Sequence, residues 1–400
     1  MNSILFFSFP YFGHTNSLIH IAKILSESFG HNVYVEMSDD YLYLIENTKI
    51  KPLKDKFSKY KDSKTDSSER KMESLFFYAD GVLNCTREYI ADFGFYQSLN
   101  PVLIVYDGYA IWGREIAKRL NVPCIANLTT QIFNRDIFYD NISRILCGYI
   151  EDGMSQKNII REIGMYEKIL SKKYGIKDFK FHDCLCALGT KNFLYYYEEM
   201  SCFPESINDS CVLLGPYLFQ KPIVIEKTKK IIYVSFGTIL KLKKLLIDCV
   251  DAYKDMDCQI YVSAGEYEHE LKERYQQNPN IIISKQQPQI NILEVADLFI
   301  SHGGQNSVME SVFLGAPMLS IPQANDAFIL ADYIEKNRLG KVLLNENASR
   351  KEIYEAGISL LNVETVKANL KRTSAIVKEK KNRKETKELV VSTVRQLIER

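Results

Sequence analysis

Apolar stretches of strand length alternate along the chain with stretches that have helical periodicity. An apolar strand over Ser3 to Ser8 is followed by a loop over Pro10 to His14. A helix is then predicted over Asn16 to Phe29, where apolar residues recur every three to four positions, and a second strand over Val33 to Met37. This order of elements is typical of a parallel, doubly wound sheet, so the sequence predicts an α/β fold.

The alternation continues along the chain and restarts once. A further helix is predicted at 111–120, and further strands at 102–106, 124–127, 231–235, 260–264, 281–284, 298–301 and 318–321. Residues 215–230 contain a Gly-Pro pair and little apolar periodicity, which predicts a linker. We therefore expect an N-terminal domain over 1–214 and a C-terminal domain over 231–400, whose last helix is able to pack back on the first domain.

Composition agrees with a globular protein of two domains. The 400 residues are 46% hydrophobic and 25% charged, and the net charge of +1 gives no reason to expect a nucleic-acid partner. The nine cysteines lack the spacing of a disulfide framework, which favours a reduced, cytoplasmic protein. No apolar run has transmembrane length, and the N-terminus lacks the pattern of a signal peptide, so stable membrane insertion is not expected.

Two basic stretches, at 51–71 and 367–387, raise the question of contact with a membrane surface. Both are interleaved with acidic and hydroxyl residues. We interpret the first as a mobile loop and the second as a solvated helix face, in preference to lipid-binding segments.

The most distinctive segment is a strand that ends in two glycines and runs into a helix. The strand covers Leu298 to Ser301, and Gly303 and Gly304 follow it. Glycines at such a turn let the backbone approach a ligand, while the helix N-terminus offers unpaired N–H groups and a partial positive charge. Asn306 and Ser307 add side-chain donors. This arrangement suits a diphosphate and predicts a nucleotide-linked substrate.

Further residues at fixed offsets extend this segment, namely His302, Glu310, Gly315-x-Pro317 and the polar turn over Gln323 to Asp326. Residues 299–326 resemble the nucleotide-sugar-binding signature of family 1 glycosyltransferases, above all the bacterial macrolide and natural-product branch. The resemblance implies the GT-B fold, in which two Rossmann-like domains face each other across a cleft and the C-terminal domain holds most of the donor.

The resemblance also assigns roles within the donor site. The residues after the signature strand are assigned to the diphosphate, Glu310 to the ribose hydroxyls, main-chain groups at Gln289 to the nucleobase, and the turn at Asp326 to the sugar hydroxyls. The end of the strand over 231–235 is expected to approach the phosphates as well. The predicted donor set is Ser235, Gly237, Thr238, Gln289, His302, Gly303, Gly304, Asn306, Ser307, Glu310, Asn325 and Asp326.

A general base is expected on the loop after the first strand. Neutral histidine can accept a proton near pH 7, and Gly13-His14-x-Asn16 matches the position of the family's catalytic base. Asp107 ends a buried strand, where its carboxylate can hold the imidazole tautomer and stabilise the imidazolium. A helix N-cap is an alternative role for Asp107 and is compatible with the first. The family's usual proline after the asparagine is replaced by Ser17.

Two departures from the family's pattern concern the donor. Ala327 stands where the family usually has a glutamine that contacts the sugar, so the donor sugar is open and need not be plain glucose. Gln286 stands where an aromatic residue usually stacks on the base, which leaves the choice between UDP-sugars and dTDP-sugars open.

The acceptor site is expected in the first domain, where aromatic residues are frequent. We name four of them as candidates to line an apolar pocket: Phe12, Phe77, Trp112 and Phe133. The expected acceptor is a hydrophobic small molecule of the macrolide, polyketide or flavonoid type.

The predicted activity is therefore that of an inverting, metal-independent hexosyltransferase that needs no cofactor besides its nucleotide sugar. Asp255-Met256-Asp257 has the spacing of a manganese motif, but it precedes a strand and favours a solvated loop. The alternatives are a lipid or cell-wall glycosyltransferase, a nucleotide-sugar epimerase, and a non-catalytic ligand-binding homologue. Monomer and homodimer both stay open.

Overall fold

A computed structural model describes residues 2–60, 72–150, 153–177, 179–218, 223–237, 242–323, 325–345, 347–383 and 385–399. The chain divides into two compact units. The first is Met1–Gly215 together with Lys384–Arg400, and the second is Pro216–Arg383.

The first unit is built on a parallel sheet with the strand order β3-β2-β1-β4-β5-β6-β7. Its strands are β1 Ser3–Phe7, β2 Asn32–Met37, β3 Lys51–Lys54, β4 Pro101–Asp107, β5 Cys124–Leu128, β6 Lys191–Leu194 and β7 Cys211–Leu213. Its helices before the second unit are α1 Phe12–Ser28, α2 Met72–Ala91, α3 Phe93–Ser98, α4 Ile111–Leu120, α5 Arg135–Asp140, α6 Ile142–Ile145 and α7 Gln156–Tyr174.

The second unit repeats this plan with the strand order β10-β9-β8-β11-β12-β13, also parallel. Its strands are β8 Lys230–Ser235, β9 Cys258–Ser263, β10 Ile281–Ser284, β11 Leu298–Ser301, β12 Met318–Ser320 and β13 Gly340–Val342. Its helices are α8 Lys243–Tyr253, α9 Glu268–Arg274, α10 Gln289–Leu293, α11 Gln305–Leu314, α12 Asn325–Lys336, α13 Arg350–Asn362 and α14 Glu364–Arg383.

The last helix, α15 (Thr386–Ile398), belongs to the first unit, although it follows the second in the chain. It lies against α1 and β4, and its Val390 and Val394 are fully buried. The sequence predicted a C-terminal domain over 231–400, with a last helix that is able to pack on the N-terminal domain. In the structure, the second unit ends at Arg383.

Both sheets reverse their strand order beside their first strand, between β1 and β4 in one unit and between β8 and β11 in the other. Ligands of open α/β sheets bind beyond the carboxyl ends of the strands at such a switch point. Asp107 is the last residue of β4, and His302 directly follows β11. The strand order therefore places the two groups of candidate residues where each sheet is suited to bind a ligand.

The prediction of a loop over Pro10 to His14 is wrong, because α1 begins at Phe12 and His14 lies in its first turn. The N-cap, Tyr11, has extended backbone angles and no side-chain cap, so the usual signal of a helix start is missing. Instead the turn is fixed from within, since the Thr15 hydroxyl bonds to the Ser8 hydroxyl at 2.8 Å.

The core of the first unit contains a buried carboxyl group. Glu36 on β2 has no exposed surface and lies close to Trp112, whose ring stacks on Tyr89 at 5.4 Å between ring centres. Burial raises the pKa of Glu36 well above its usual range, and the neighbouring Asp55 carboxylate raises it further. The folded protein therefore holds a proton on Glu36 that the unfolded chain releases.

This proton makes stability depend on pH. The free energy of unfolding is expected to fall as pH rises from about 4.5, the pKa of an ordinary glutamate, towards the raised folded value. Glu36→Gln keeps the shape without the ionisation, so its stability relative to wild type should increase between pH 5 and pH 8. Urea unfolding at the two pH values measures this change. The exposed Glu46→Gln is the control, and an equal pH response in wild type and Glu36→Gln would contradict the prediction.

Candidate active site

The imidazole of His14 is held through one nitrogen by two residues at the ends of neighbouring strands, since Asp107 ends β4 and Thr129 directly follows β5. Its Nδ1 lies 2.9 Å from Asp107 Oδ2 and 2.9 Å from Thr129 Oγ1. The Asp107 carboxylate is fully buried, and its other oxygen accepts a hydrogen bond from the Tyr109 backbone N–H at 3.0 Å. With Nδ1–H donated to Asp107, the lone pair lies on Nε2, which is then the atom that can take a proton from a substrate.

Asp107 thus adopts the geometry expected of a histidine partner. The alternative N-cap role is not observed, because the N-cap of α4 is Ala110 and has no side-chain cap. Thr129 was missed from the sequence. It directly follows β5. Hydroxyl residues are common at strand ends, so the sequence does not single out Thr129 as a partner of His14.

A buried hydrogen-bond network holds the turn of α1 that carries His14. The Ser17 hydroxyl donates to the His14 carbonyl at 2.9 Å and accepts from Asn127 Nδ2 at 3.1 Å. Asn127 Oδ1 in turn accepts from the Tyr195 hydroxyl at 2.6 Å. A proline at position 17 has no hydroxyl to join this network. Ser17, which replaces it here, therefore connects α1 to Asn127 on β5 and, through Asn127, to Tyr195 directly after β6.

Three aromatic rings surround His14. The ring of Tyr109 lies 5.2 Å away, edge on, and those of Phe9 and Tyr11 lie 5.6 Å and 6.4 Å away. None of these three was named from the sequence as an acceptor residue. They form an apolar environment beside the candidate base.

The four aromatic residues named from the sequence do not group around His14. Trp112 was wrong as a lining residue, because it is fully buried in the core. Phe133 is only 5% exposed and stacks on Phe138, while Phe77 is half exposed on α2. Phe12 lies in the first turn of α1, where its ring approaches Tyr41.

In the second unit, glycines enclose the His302 ring. A Cβ added to Gly304 would lie 2.5 Å from His302 Nε2, and one added to Gly237 would lie 2.9 Å from Cε1. Gly303 has a φ of +75°, and a Cβ there would overlap the Ser320 hydroxyl. The glycines are therefore required both for backbone conformation and for space.

His302 is suited to donate a hydrogen bond as a neutral ring. Burial lowers the pKa of its imidazole, although the carboxylate of Asp326 acts in the opposite direction. Its Nδ1 has no hydrogen-bond partner among the described residues, and neither has the buried Ser320 hydroxyl. These polar atoms lie where β11 and β12 end, beside the N-terminus of α11.

Glu310 belongs to a hydrogen-bonded chain of side chains. Its carboxylate accepts a bond from Gln289 Nε2 at 2.6 Å, and Gln289 Oε1 accepts one from the Tyr233 hydroxyl at 3.0 Å. Burial raises the pKa of Glu310 to about 7. The side chain of Gln289 is thus committed to Glu310. Its expected contact with the nucleobase through main-chain groups stays a prediction.

The remaining candidates of the second unit lie on β8, α11 and α12. Ser235 is buried at the end of β8, and in the first turn of α11 Asn306 is exposed and Ser307 half-buried. Asp326 Oδ2 accepts a hydrogen bond from the Gln305 backbone N–H at 3.3 Å. Thr238 lies outside the described residues, and the side chain of Asn325 is not among those described.

The two departures from the family's pattern differ in their surroundings. Ala327 is fully buried, and its carbonyl oxygen would lie 3.9 Å from a Cβ on Gly303. Gln286 is exposed. Position 327 therefore faces the interior of this unit, whereas position 286 faces solvent.

Within the described ranges, no group of three or more His, Cys, Asp or Glu side chains is placed to hold a metal ion. Asp257 of the Asp-x-Asp segment pairs with Lys229. None of the helices in the described part of the chain is long and apolar enough to cross a membrane.

Comparison with known proteins finds similarity to glycosyltransferases along nearly the whole chain. Residues 237–389 match the model of the glycosyltransferase family 28 C-terminal domain. The chain is 24% identical to the uncharacterized UDP-glucosyltransferase YojK of Bacillus subtilis (strain 168), over 99% of this chain and 98% of that protein. It is also 24% identical to the NDP-glycosyltransferase YjiC of the same organism, over 92% of each chain.

Solved structures extend this likeness to the whole fold. The glycotransferase of kitacinnamycin superposes with a TM-score of 0.74 at 18% identity, over 99% of both chains. The spinosyn rhamnosyltransferase SpnG, complexed with thymidine diphosphate, superposes with a TM-score of 0.68 at 14% identity, over 98% of this chain and 100% of that one. The predicted fold class is confirmed: the chain has the GT-B fold of these structures, with two parallel-sheet α/β units.

The His302 ring occupies the space that a side chain at position 304 would need. A substitution of Gly304 is therefore expected to weaken donor binding selectively. Gly304 has a φ of −65°, which alanine adopts without strain, so Gly304→Ala should act only by displacing the His302 ring. We expect affinity for UDP and dTDP, measured by calorimetry, to fall by roughly 10-fold or more, with stability nearly unchanged. Gly94→Ala, which meets no atom within 4 Å, is the matched control. Unchanged affinity in Gly304→Ala would show that His302 does not contact the nucleotide.

The raised pKa of Glu310 predicts that nucleotide binding depends on pH. Above about pH 7 the ionised carboxylate can accept hydrogen bonds from two ribose hydroxyls, whereas below it the protonated acid accepts them less well. The Kd of UDP should therefore fall several-fold from pH 6 to pH 8. Glu310→Gln should flatten this response, and so should a 2′,3′-dideoxy nucleotide on wild type. A response that persists with the dideoxy nucleotide would contradict the ribose assignment.

Proposed function

We propose that this protein transfers a hexosyl group from a nucleotide-diphosphate sugar to a hydroxyl of a hydrophobic small molecule, with inversion at the anomeric carbon. The observation that carries the proposal is the geometry of His14, whose Nδ1 lies 2.9 Å from both the buried Asp107 carboxylate and Thr129. A histidine held in this way is suited to remove a proton from an alcohol.

In the proposed reaction, the acceptor hydroxyl gives its proton to His14 Nε2 while its oxygen forms a bond to the anomeric carbon. The bond from that carbon to the diphosphate oxygen breaks, and its electron pair leaves with the nucleotide. Attack opposite the leaving group inverts the configuration. The Asp107 carboxylate stabilises the imidazolium formed.

The leaving diphosphate is assigned to the N-terminus of α11 and to His302. Backbone N–H groups and the helix dipole offset the growing negative charge, so the proposal needs no metal ion. The carrier is UDP or dTDP, as the names of YojK and of the SpnG complex suggest for those relatives. Because Ala327 is fully buried and has no polar side chain, it offers no hydrogen bond to the sugar, and the identity of the sugar stays open.

The acceptor is assigned to the aromatic surroundings of His14. Phe9, Tyr11 and Tyr109 offer ring surfaces within 6.4 Å of the imidazole, which suits an apolar molecule with one reactive hydroxyl. Natural products of the macrolide, polyketide or flavonoid type meet this description.

All nine cysteines are free thiols, in agreement with action in the reducing cytoplasm.

A screen for transfer tests the proposed function. Purified protein with UDP- and dTDP-sugars, a panel of macrolides and phenols, and no added metal should yield acceptors with the added mass of a sugar. Incubation without acceptor, followed by analysis of the sugar, separates transfer from epimerisation. Binding of the donor without transfer to any acceptor, even with lipids in the panel, would favour a non-catalytic homologue.

The two partners of His14 should differ in their importance. Asp107→Asn removes the charge that stabilises the imidazolium, so kcat should fall by roughly 10²- to 10⁴-fold. Thr129→Val removes only the second contact, and we expect a loss of about 3- to 10-fold that Thr129→Ser restores. The KM for the donor should stay constant in all three variants. A kcat within about twofold of wild type for Asp107→Asn would contradict the dyad.

A further inference from the structure

Helix α7 buries one face in the first unit and exposes large apolar side chains on another. Ile163 and Leu170 are fully buried, whereas Met165 and Ile169 are 51% and 45% exposed and lie one helical turn apart. Phe77 on the neighbouring α2 is 50% exposed, and the ring of Phe76 beside it packs on Tyr166 of α7 at 5.1 Å. With Ile160 of α7, which is 38% exposed, the two helices together present four exposed large apolar side chains.

Basic residues flank these side chains. Relative to Met165, Arg161, Lys168 and Lys172 stand at i−4, i+3 and i+7, the spacing that places them on the same exposed side of α7. No ion pair joins these three to any acidic residue that the structure describes. We name Phe77, Met165, Ile169, Arg161, Lys168 and Lys172 together the α7 surface.

Three of the acidic side chains near this surface have a partner, and a fourth, Glu73 on α2, is exposed. Glu167 is paired with Lys180 at 3.1 Å, and Asp80 with Lys173 at 2.6 Å. Glu162 accepts a hydrogen bond from the Tyr166 hydroxyl at 2.6 Å. Helix α7 carries five basic and two acidic residues in a chain whose net charge is only +1. The positive charge at this surface is therefore local.

We propose that the α7 surface binds anionic lipid membranes. Apolar side chains that enter the boundary between headgroups and acyl chains, with lysine and arginine beside them, are the features by which a helix lies on a membrane. The long basic side chains keep their charge at the headgroups while their stems cover apolar surface. Anionic headgroups supply the complementary charge, which gives the surface its preference over a neutral bilayer.

Helix α2 carries residues both of the α7 surface and of the aromatic surroundings of His14. Tyr78, the neighbour of Phe77, has its ring 6.4 Å from that of Phe9, which lies 5.6 Å from the His14 ring. A lipophilic acceptor dissolved in the membrane would thus meet the same unit of the protein that carries the candidate base. This last step rests on the proposed function, whereas membrane binding itself does not.

Vesicle flotation of the full chain tests the proposal. We expect the protein to float with vesicles that contain phosphatidylglycerol, to stay behind with pure phosphatidylcholine, and to be released by salt. Lys168→Glu with Lys172→Glu should lower the bound fraction about 10-fold or more. Met165→Ser with Ile169→Ser should lower it on the same vesicles at low salt, because the apolar contribution is lost.

The matched control lies on α14, where Ile376 and Lys371 are also exposed. Ile376→Ser with Lys371→Glu should leave flotation unchanged. An equal loss in this control, or no flotation of wild type, would overturn the proposal. A dimer interface at this surface would also contradict the proposal. In that case light scattering would show a dimer for wild type and a monomer for Met165→Ser with Ile169→Ser, and the double variant would bind vesicles as wild type does. Turnover of a water-soluble acceptor should be unchanged in every variant, which separates this proposal from the proposed function.

Discussion

The buried carboxylate of Asp107 is the interaction on which the account of the active site depends. It is fully buried at the end of β4, where one oxygen is fixed by the Tyr109 backbone and the other faces His14 Nδ1. A charge in this position is stable only if it is paired or hydrogen-bonded, and the imidazole and the backbone N–H provide both. The strand order brings β4 beside β1, and the network through Ser17 and Asn127 holds α1 at the same edge.

The second unit has a similar sheet topology but different residues at the carboxyl ends of its strands. Under the proposed function it accommodates a diphosphate, and the carboxyl ends of β8 and β11 are followed by glycines instead of charged side chains. Gly237 and Gly304 leave room for the His302 ring, and Gly303 adopts a conformation that other residues rarely do. The two sheets share a strand order up to their sixth strand, but one carries a histidine held by a buried carboxylate and the other a buried histidine enclosed by glycines.

Much of this could be predicted from the sequence, since apolar periodicity predicts strands and strand ends predict sites in a parallel sheet. The helix 111–120 and the strands 281–284 and 298–301 agree with the structure residue by residue. The start of α1 was missed because Tyr11 carries no capping side chain. Thr129 and Tyr109 were missed, and Trp112 was wrongly assigned, because such contacts depend on packing between elements far apart in the sequence. Aromatic residues of the core and of a binding site look alike until burial is known.

The most direct test of the central claim is a paired measurement on His14→Ala, namely donor binding by calorimetry and single-turnover transfer to an acceptor found in the screen. We expect the donor Kd to stay within about twofold of wild type while transfer falls by roughly 10²-fold or more, because only the proton acceptor is lost. Transfer at the wild-type rate would contradict the role of His14 as the base.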